Sequence, residues 1–140
     1  AEVNARSTAE GLTPLMLAAR KSTPEIVVLL IEKGAEVNAR DTDGWTPLML
    51  AAQFSSTPEI VALLIKKGAE LEARNTEGGT PLMIAAQFSS TPEIVQLLLE
   101  KGADALAKDK NGKKAIDHAQ ENEKLKGTPA YWKLHNKSFE

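Results

Sequence analysis

"DTDGWTPLMLAAQFSSTPEIVALLIKKGAELEAR" (41–74) lies over "NTEGGTPLMIAAQFSSTPEIVQLLLEKGADALAK" (75–108) without a gap, at a period of 34 residues. Self-similarity at such a period marks an array in which each unit packs on its neighbours. The preceding block, 7–40, has the same length by two compensating changes. Its turn from Ser7 to Gly11 is one residue longer, and the link after its first helix is one shorter. A fourth, degraded unit is read over 109–140, beginning "DKNGKKAIDHAQ". Residues 1–6, "AEVNAR", repeat the wording of 35–40 and read as the tail of a truncated upstream unit.

Each unit carries the same local instructions. Gly44, Gly78 and Gly112 stand where a tight turn needs positive φ. Thr13, Thr46 and Thr80 are placed as N-caps, and Pro14, Pro47 and Pro81 follow at the first helical position, where no N–H is required. Leu48, Ala51 and Ala52 then share one face of a short helix. A second Thr-Pro (Thr23-Pro24, Thr57-Pro58, Thr91-Pro92) starts a second helix, with Glu25, Glu59 and Glu93 near its positive end. That helix has an apolar stripe, Ile60, Leu63 and Leu64, and ends at Gly34, Gly68 or Gly102. Two helices so short cannot bury their stripes alone, whereas stacked copies can. The expected fold is an all-α repeat solenoid of stacked helix-turn-helix units joined by β-hairpin-like turns.

The recurring "G-x-TPLMLAA…EIVxLLIxKGAExxA" resembles the ankyrin repeat over about residues 1–120. Two departures from that family stand out. Met16, Met49 and Met83 replace the family's histidine, and "SSTP" replaces the Gly-His after the first helix. The family's histidine helps tie neighbouring repeats through hydrogen bonds, so apolar packing is expected to replace those ties here. The wording "LM-I/L-AAQ" looks like microbial rather than animal arrays. In the end unit, Lys114-Ala115 stand in place of Thr-Pro. "AIDHAQENEKLKG" reads as a longer polar helix broken at Gly127, and Thr128-Pro129 opens a last helix whose Tyr131 or Trp132 covers the core. Interspersed lysines and carboxylates mark a solvated cap.

Composition narrows the function. The chain has 140 residues, a formal net charge of -2 and no cysteine. Near-neutrality points away from nucleic acid and anionic membranes as partners. No apolar run reaches the roughly 18 residues of a spanning helix, and "AEVNARSTAEG" does not read as a signal peptide. The absence of thiols fits a cytoplasmic protein, or one delivered to a host cytoplasm if it is a microbial effector. The two histidines, His118 and His135, lie in the end cap without a nucleophile at any recognisable spacing and read as surface residues. "GGTP" at 78–81 lacks a P-loop ending, and "TDGW" and "KDKNG" do not fill a calcium loop. No cofactor, metal or enzymatic activity is expected.

The resemblance implies a protein partner bound by turn tips and the inner, concave face of the first helices. Carried over by position, the turn tips are Glu10 and Leu12; Thr42, Asp43 and Trp45; Thr76 and Glu77; and Lys110, Asn111 and Lys113. The helix face is Met16, Arg20, Met49, Gln53, Met83 and Gln87, with Phe54 and Phe88 at the helix ends. Trp45 stands where the other units have Leu12, Gly79 and Lys113, and is either a binding anchor or a cover over a Thr-Pro turn. The methionines read first as packing and second as binding surface. The phenylalanines read first as buried loop anchors and second as an exposed ladder. "LIEKGAEVN" at 30–38 resembles the pattern of an asparaginyl hydroxylase substrate, with Asn38 as acceptor. Two other roles compete with partner binding: an engineered or consensus-like scaffold with no natural partner, and weak self-association through an uncovered first unit.

Overall fold

A computed structural model describes residues 2–139, so the first residue of the 1–6 segment and the last of the 109–140 segment lie outside the described residues. Eight helices form among the described residues: α1 Pro14–Lys21, α2 Pro24–Glu32, α3 Pro47–Phe54, α4 Pro58–Lys66, α5 Pro81–Phe88, α6 Pro92–Glu100, α7 Ala115–Ala119 and α8 Pro129–Lys137. They make four helix pairs in two layers. The first helices stack in the order α1, α3, α5, α7, and the second helices in the order α2, α4, α6, α8.

The first-helix caps form as the sequence requires. Thr13, Thr46 and Thr80 each accept from a methionine N–H three residues on, and each is buried. The second-helix threonines do not cap: Thr23, Thr57 and Thr91 have extended backbones but no side-chain hydrogen bond to their helices. In the second and third units a serine two residues earlier organises that link instead. Ser55 Oγ accepts from Thr57 N–H and donates to Thr57 C=O, and Ser89 does the same at Thr91. Both serines are buried, so the link's polar groups are paired internally.

Helices of 8 and 9 residues are unstable alone in water. Packing between units supplies the stability. Leu48, Ala51, Ala52, Ile60, Val61 and Leu64 are sealed from solvent, as are their counterparts one unit later. The first pair differs. Leu17 and Ile26 are 51% and 46% exposed, although the same registers are buried as Leu50 and Ile60 in the second pair. Leu29 is exposed as well.

Ties between neighbouring units are hydrogen-bonded, which corrects the expectation that apolar packing alone replaces them. Arg40 donates to Arg74 C=O at 2.6 Å and Arg74 to Lys108 C=O at 2.6 Å, and Arg6 reaches Arg40 C=O in the same way. Asn38 donates to Gly68 C=O and accepts from Glu70 N–H, and Asn4 does likewise one unit earlier, at Gly34 and Glu36.

The end unit also departs from expectation. The helix read over 115–127 stops at Ala119, and turns carry the chain on to Gly127. Asn122 explains the break. It is buried, and its Nδ2 donates to Ala86 C=O at 3.0 Å and Ser89 C=O at 2.9 Å, carbonyls at the C-terminal end of α5. Its Oδ1 accepts from Lys124 N–H and so starts the next turn. Tyr131 is buried over the core, while Trp132 is exposed.

Candidate binding surface

The turns that project beside the first helices share one construction. Asp41 Oδ1 accepts from the N–H groups of Asp43 and Trp45, both at 2.9 Å. Asn75 Oδ1 accepts from Glu77 and Gly79, and Asp109 Oδ1 from Asn111 and Lys113. Such side-chain-to-backbone bonds hold a short turn without a strand. Adjacent tips are tied through the backbone: Thr42 N–H to Glu10 C=O, Thr76 N–H to Asp43 C=O, and Lys110 N–H to Glu77 C=O. The main chain of each tip is thereby occupied, and the side chains of Glu10, Thr42, Asp43, Thr76, Glu77, Lys110, Asn111 and Lys113 face solvent. Asp41, Asn75 and Asp109 were not among the residues singled out from sequence. Their signal was a recurrent Asp or Asn four positions before Trp45, Gly79 and Lys113.

The row of turns and the first helices enclose a groove with two clefts. One, of about 440 Å³, lies between Trp45 on one side and Lys113 and Glu121 on the other, over Gly79, Met83 and Gln87. The other, of about 270 Å³, lies between Leu12 and Trp45, beside Arg20 and Gln53. Trp45 borders both and also packs on Met16, Ala39 and Leu50 below it. It is therefore half cover and half wall. Gly79 is the gap: it has no side chain at the register of Trp45 and Lys113, and the larger cleft opens there.

Two sets of sequence-assigned residues change place. Met16 and Met49 are fully buried, in keeping with the packing reading that stood first, and this takes them off the binding face to which the resemblance had also assigned them; Met83 is 3% exposed and only touches the floor of the larger cleft. The methionine row fills the space between first helices, as an unbranched thioether suits. Phe54 and Phe88 are 47% and 48% exposed, which corrects the loop-anchor reading that stood first. Each ends its helix just before the buried serine, and that serine, not the ring, anchors the link. The Arg20 guanidinium lies 4.5 Å from the centre of the Phe54 ring, a cation–π contact that joins the first and second units at the groove edge.

His118 is another correction. It is not a surface residue: its Nε2 stands 2.9 Å from Asp109 Oδ2, with both side chains mostly buried at the end of the larger cleft. Burial pushes the Asp109 carboxyl up, but the Lys113 N–H, His118 and the Asn111 N–H together hold it below the usual carboxylate range. A carboxylate that already holds a turn and a ring in place is a structural group. Asn38, the residue at the hydroxylase-like pattern, is exposed but has both ends of its amide engaged between units.

A family model of ankyrin repeats in three copies matches residues 1–75 and 58–128. The chain belongs to the ankyrin-repeat family. No curated protein matches its sequence. Ankyrin repeats are generally protein–protein interaction modules and typically non-catalytic. In this ankyrin array the hydrogen-bonded turns and the stacked first helices are shared framework. The positions that differ between repeats, Leu12, Trp45, Gly79 and Lys113, line the groove. Among the described residues no helix is long and apolar enough to cross a membrane.

Proposed function

We propose that this chain is a non-catalytic module that binds another protein in the groove between its turn tips and first helices. Its units are 7–40, 41–74, 75–108 and the capping 109–140. The observation that carries the proposal is Trp45: a half-buried tryptophan that divides two clefts, at a groove-lining register where each unit has a different residue. Tryptophan is enriched among anchors at protein interfaces. Phe88 lines the larger cleft, and Phe54 stands one unit away at the groove edge beside Arg20, so apolar surface is presented along the groove. The test is affinity capture from a lysate of the source with four forms of the chain. These are the native chain, Trp45→Ala, a Gln87→Ala/Phe88→Ala double variant, and a Glu59→Ala/Lys66→Ala variant on the outer helix α4. Proteins lost with the two groove variants and kept with the α4 variant are expected. Equal recovery by all four would remove the groove as the binding surface.

A second role is favoured by the exposed Leu17, Ile26 and Leu29 on the first helix pair. Leu17 and Ile26 lie at registers that later pairs bury, and Leu29 at one they half bury, so a second copy covering them gives concentration-dependent association. Light scattering that reports a monomer across a hundredfold range of concentration would exclude it.

A further inference from the structure

We infer that the occupant of the groove is an extended, cationic peptide segment, with an arginine seated over Gly79 between Trp45 and the end unit. The inference rests on the groove being the binding surface and adds the chemistry of what enters it. Three observations converge. The first is shape: the larger cleft, about 440 Å³, falls within the size range of small-ligand pockets, roughly 300–1,000 Å³, and is walled on one side by Trp45, with Phe88 also in its lining. It lies next to the smaller cleft along the row of turns, with Trp45 between the two, so an extended segment can reach both.

The second is charge. The whole chain carries a net charge of only -2, yet the two clefts are lined by six carboxylates against two permanent cations. The groove is therefore more negative than the molecule as a whole. Glu77 and Glu121 flank the larger cleft, and both side chains are exposed with no hydrogen bond or ion pair of their own among the described residues. Glu10 and Asp43 rim the smaller one. The cations are less available than their number suggests. Arg20 lies against the Phe54 ring; of the six carboxylates, Asp41 and Asp109 are likewise engaged in their turns, which leaves Glu10, Asp43, Glu77 and Glu121. Among the described residues Lys113 has no ion pair, and it lies across the cleft from Trp45.

The third is the tryptophan itself. An indole face attracts a cation, and a planar guanidinium can stack on it while keeping its N–H groups for carboxylates. Trp45 with Glu77 and Glu121 offers both at one cleft. An acidic segment would meet the carboxylates without compensation, and a purely apolar one would leave Glu77 and Glu121 facing an unpaired neighbour.

The experiment titrates ¹⁵N-labelled full chain with the acetylated, amidated pentapeptide Gly-Ser-Arg-Ser-Gly and three analogues carrying citrulline, lysine or glutamate in place of arginine. The indole N–H signals of Trp45 and Trp132 are followed separately, Trp132 serving as an exposed control on the end unit. The arginine peptide is expected to shift Trp45 saturably and to bind at least about five times tighter than the citrulline peptide, its neutral isostere. Trp132 is expected to stay still. Glu77→Gln/Glu121→Gln should reduce arginine binding to the citrulline level. Gly79→Leu should block both peptides by filling the cleft; its backbone is not in the left-handed region, an added Cβ would lie 3.2 Å from Asn75 Oδ1, and Trp45 and Lys113 carry side chains at the same register beside Asp41 and Asp109, so an unchanged circular dichroism spectrum and melting curve accompany the binding test. Equal binding of arginine and citrulline peptides, preference for the glutamate peptide, or parallel shifts of both tryptophans would overturn the inference. If no pentapeptide binds while a captured protein still loses binding on Gly79→Leu, the groove stands as the interface and the cationic occupant falls.

Discussion

Replacing Asn122 with alanine should cost more than any other single polar substitution in this chain. The side chain donates to the carbonyls of Ala86 and Ser89 at 3.0 and 2.9 Å and is itself buried. Alanine would leave two acceptors at the end of α5 without partners. Each buried acceptor left unsatisfied costs roughly 1–3 kcal/mol, and relaxation or an entering water recovers part of that, so about 2–4 kcal/mol is expected. The lost acceptor for Lys124 N–H adds little, since Lys124 is exposed and water can replace it. Asn122→Asp should be worse than Asn122→Ala, because a carboxylate would face two carbonyl oxygens. The loss should also be local. Asn122 ties the end unit to the third unit, and arrays come apart at their weakest interface. The two tryptophans separate these effects: Trp45 reports the second unit and Trp132 the last helix. Guanidinium unfolding of Trp45→Phe and Trp132→Phe backgrounds, read by fluorescence, should show one shared transition in the native chain. With Asn122→Ala the Trp132 transition should move to lower denaturant, ahead of Trp45. A loss under about 0.5 kcal/mol, or an aspartate variant as stable as the alanine one, would refute the account of this residue as the clamp of the cap.

Other consequences are open to measurement. Thr46→Ala should destabilise by about 1 kcal/mol through the lost cap, whereas Thr57→Ala, at a helix with no side-chain cap, should fall within about 0.5 kcal/mol of the native chain by urea denaturation. Gly112→Ala should cost about 1–2 kcal/mol for its left-handed backbone alone, since no atom lies near its added Cβ. Gly78→Ala has the same φ but would bring that Cβ to 2.9 Å from Lys110 N, and should cost at least about 1 kcal/mol more in the same assay. The Asp109 carboxyl titrates lower folded than its unfolded value of about 3.9. Its contribution is therefore complete above that value and is lost as pH falls from about 4 through the lower folded pKa. Asp109→Asn should flatten that acid limb of a stability–pH profile, and an unchanged limb would show that the carboxylate contributes nothing through its charge.

The order of the elements was legible from the chain alone because its determinants are local. A Thr-Pro pair starts a helix whatever surrounds it, and a glycine is needed wherever φ turns positive. Gly44, Gly78 and Gly112 have φ of 79°, 79° and 78°. The period of 34 then required stacking, since helices this short are stable only against neighbours. Side-chain direction was not legible. Phe54 and Phe88 are hydrophobic, and an isolated sequence argues for their burial; they are half exposed because Ser55 and Ser89 already close the link and leave the rings nothing to anchor. Met16 and Met49 carry no local mark that separates packing from binding, and only the neighbouring helix decides it. Asn122 falls at the Phe54 and Phe88 register yet turns inward, because two carbonyls one unit away lie within its reach. The groove is the same kind of fact. Trp45, Gly79 and Lys113 are 34 residues apart in sequence, and they become one cleft only when the units stack and the tips are tied side by side.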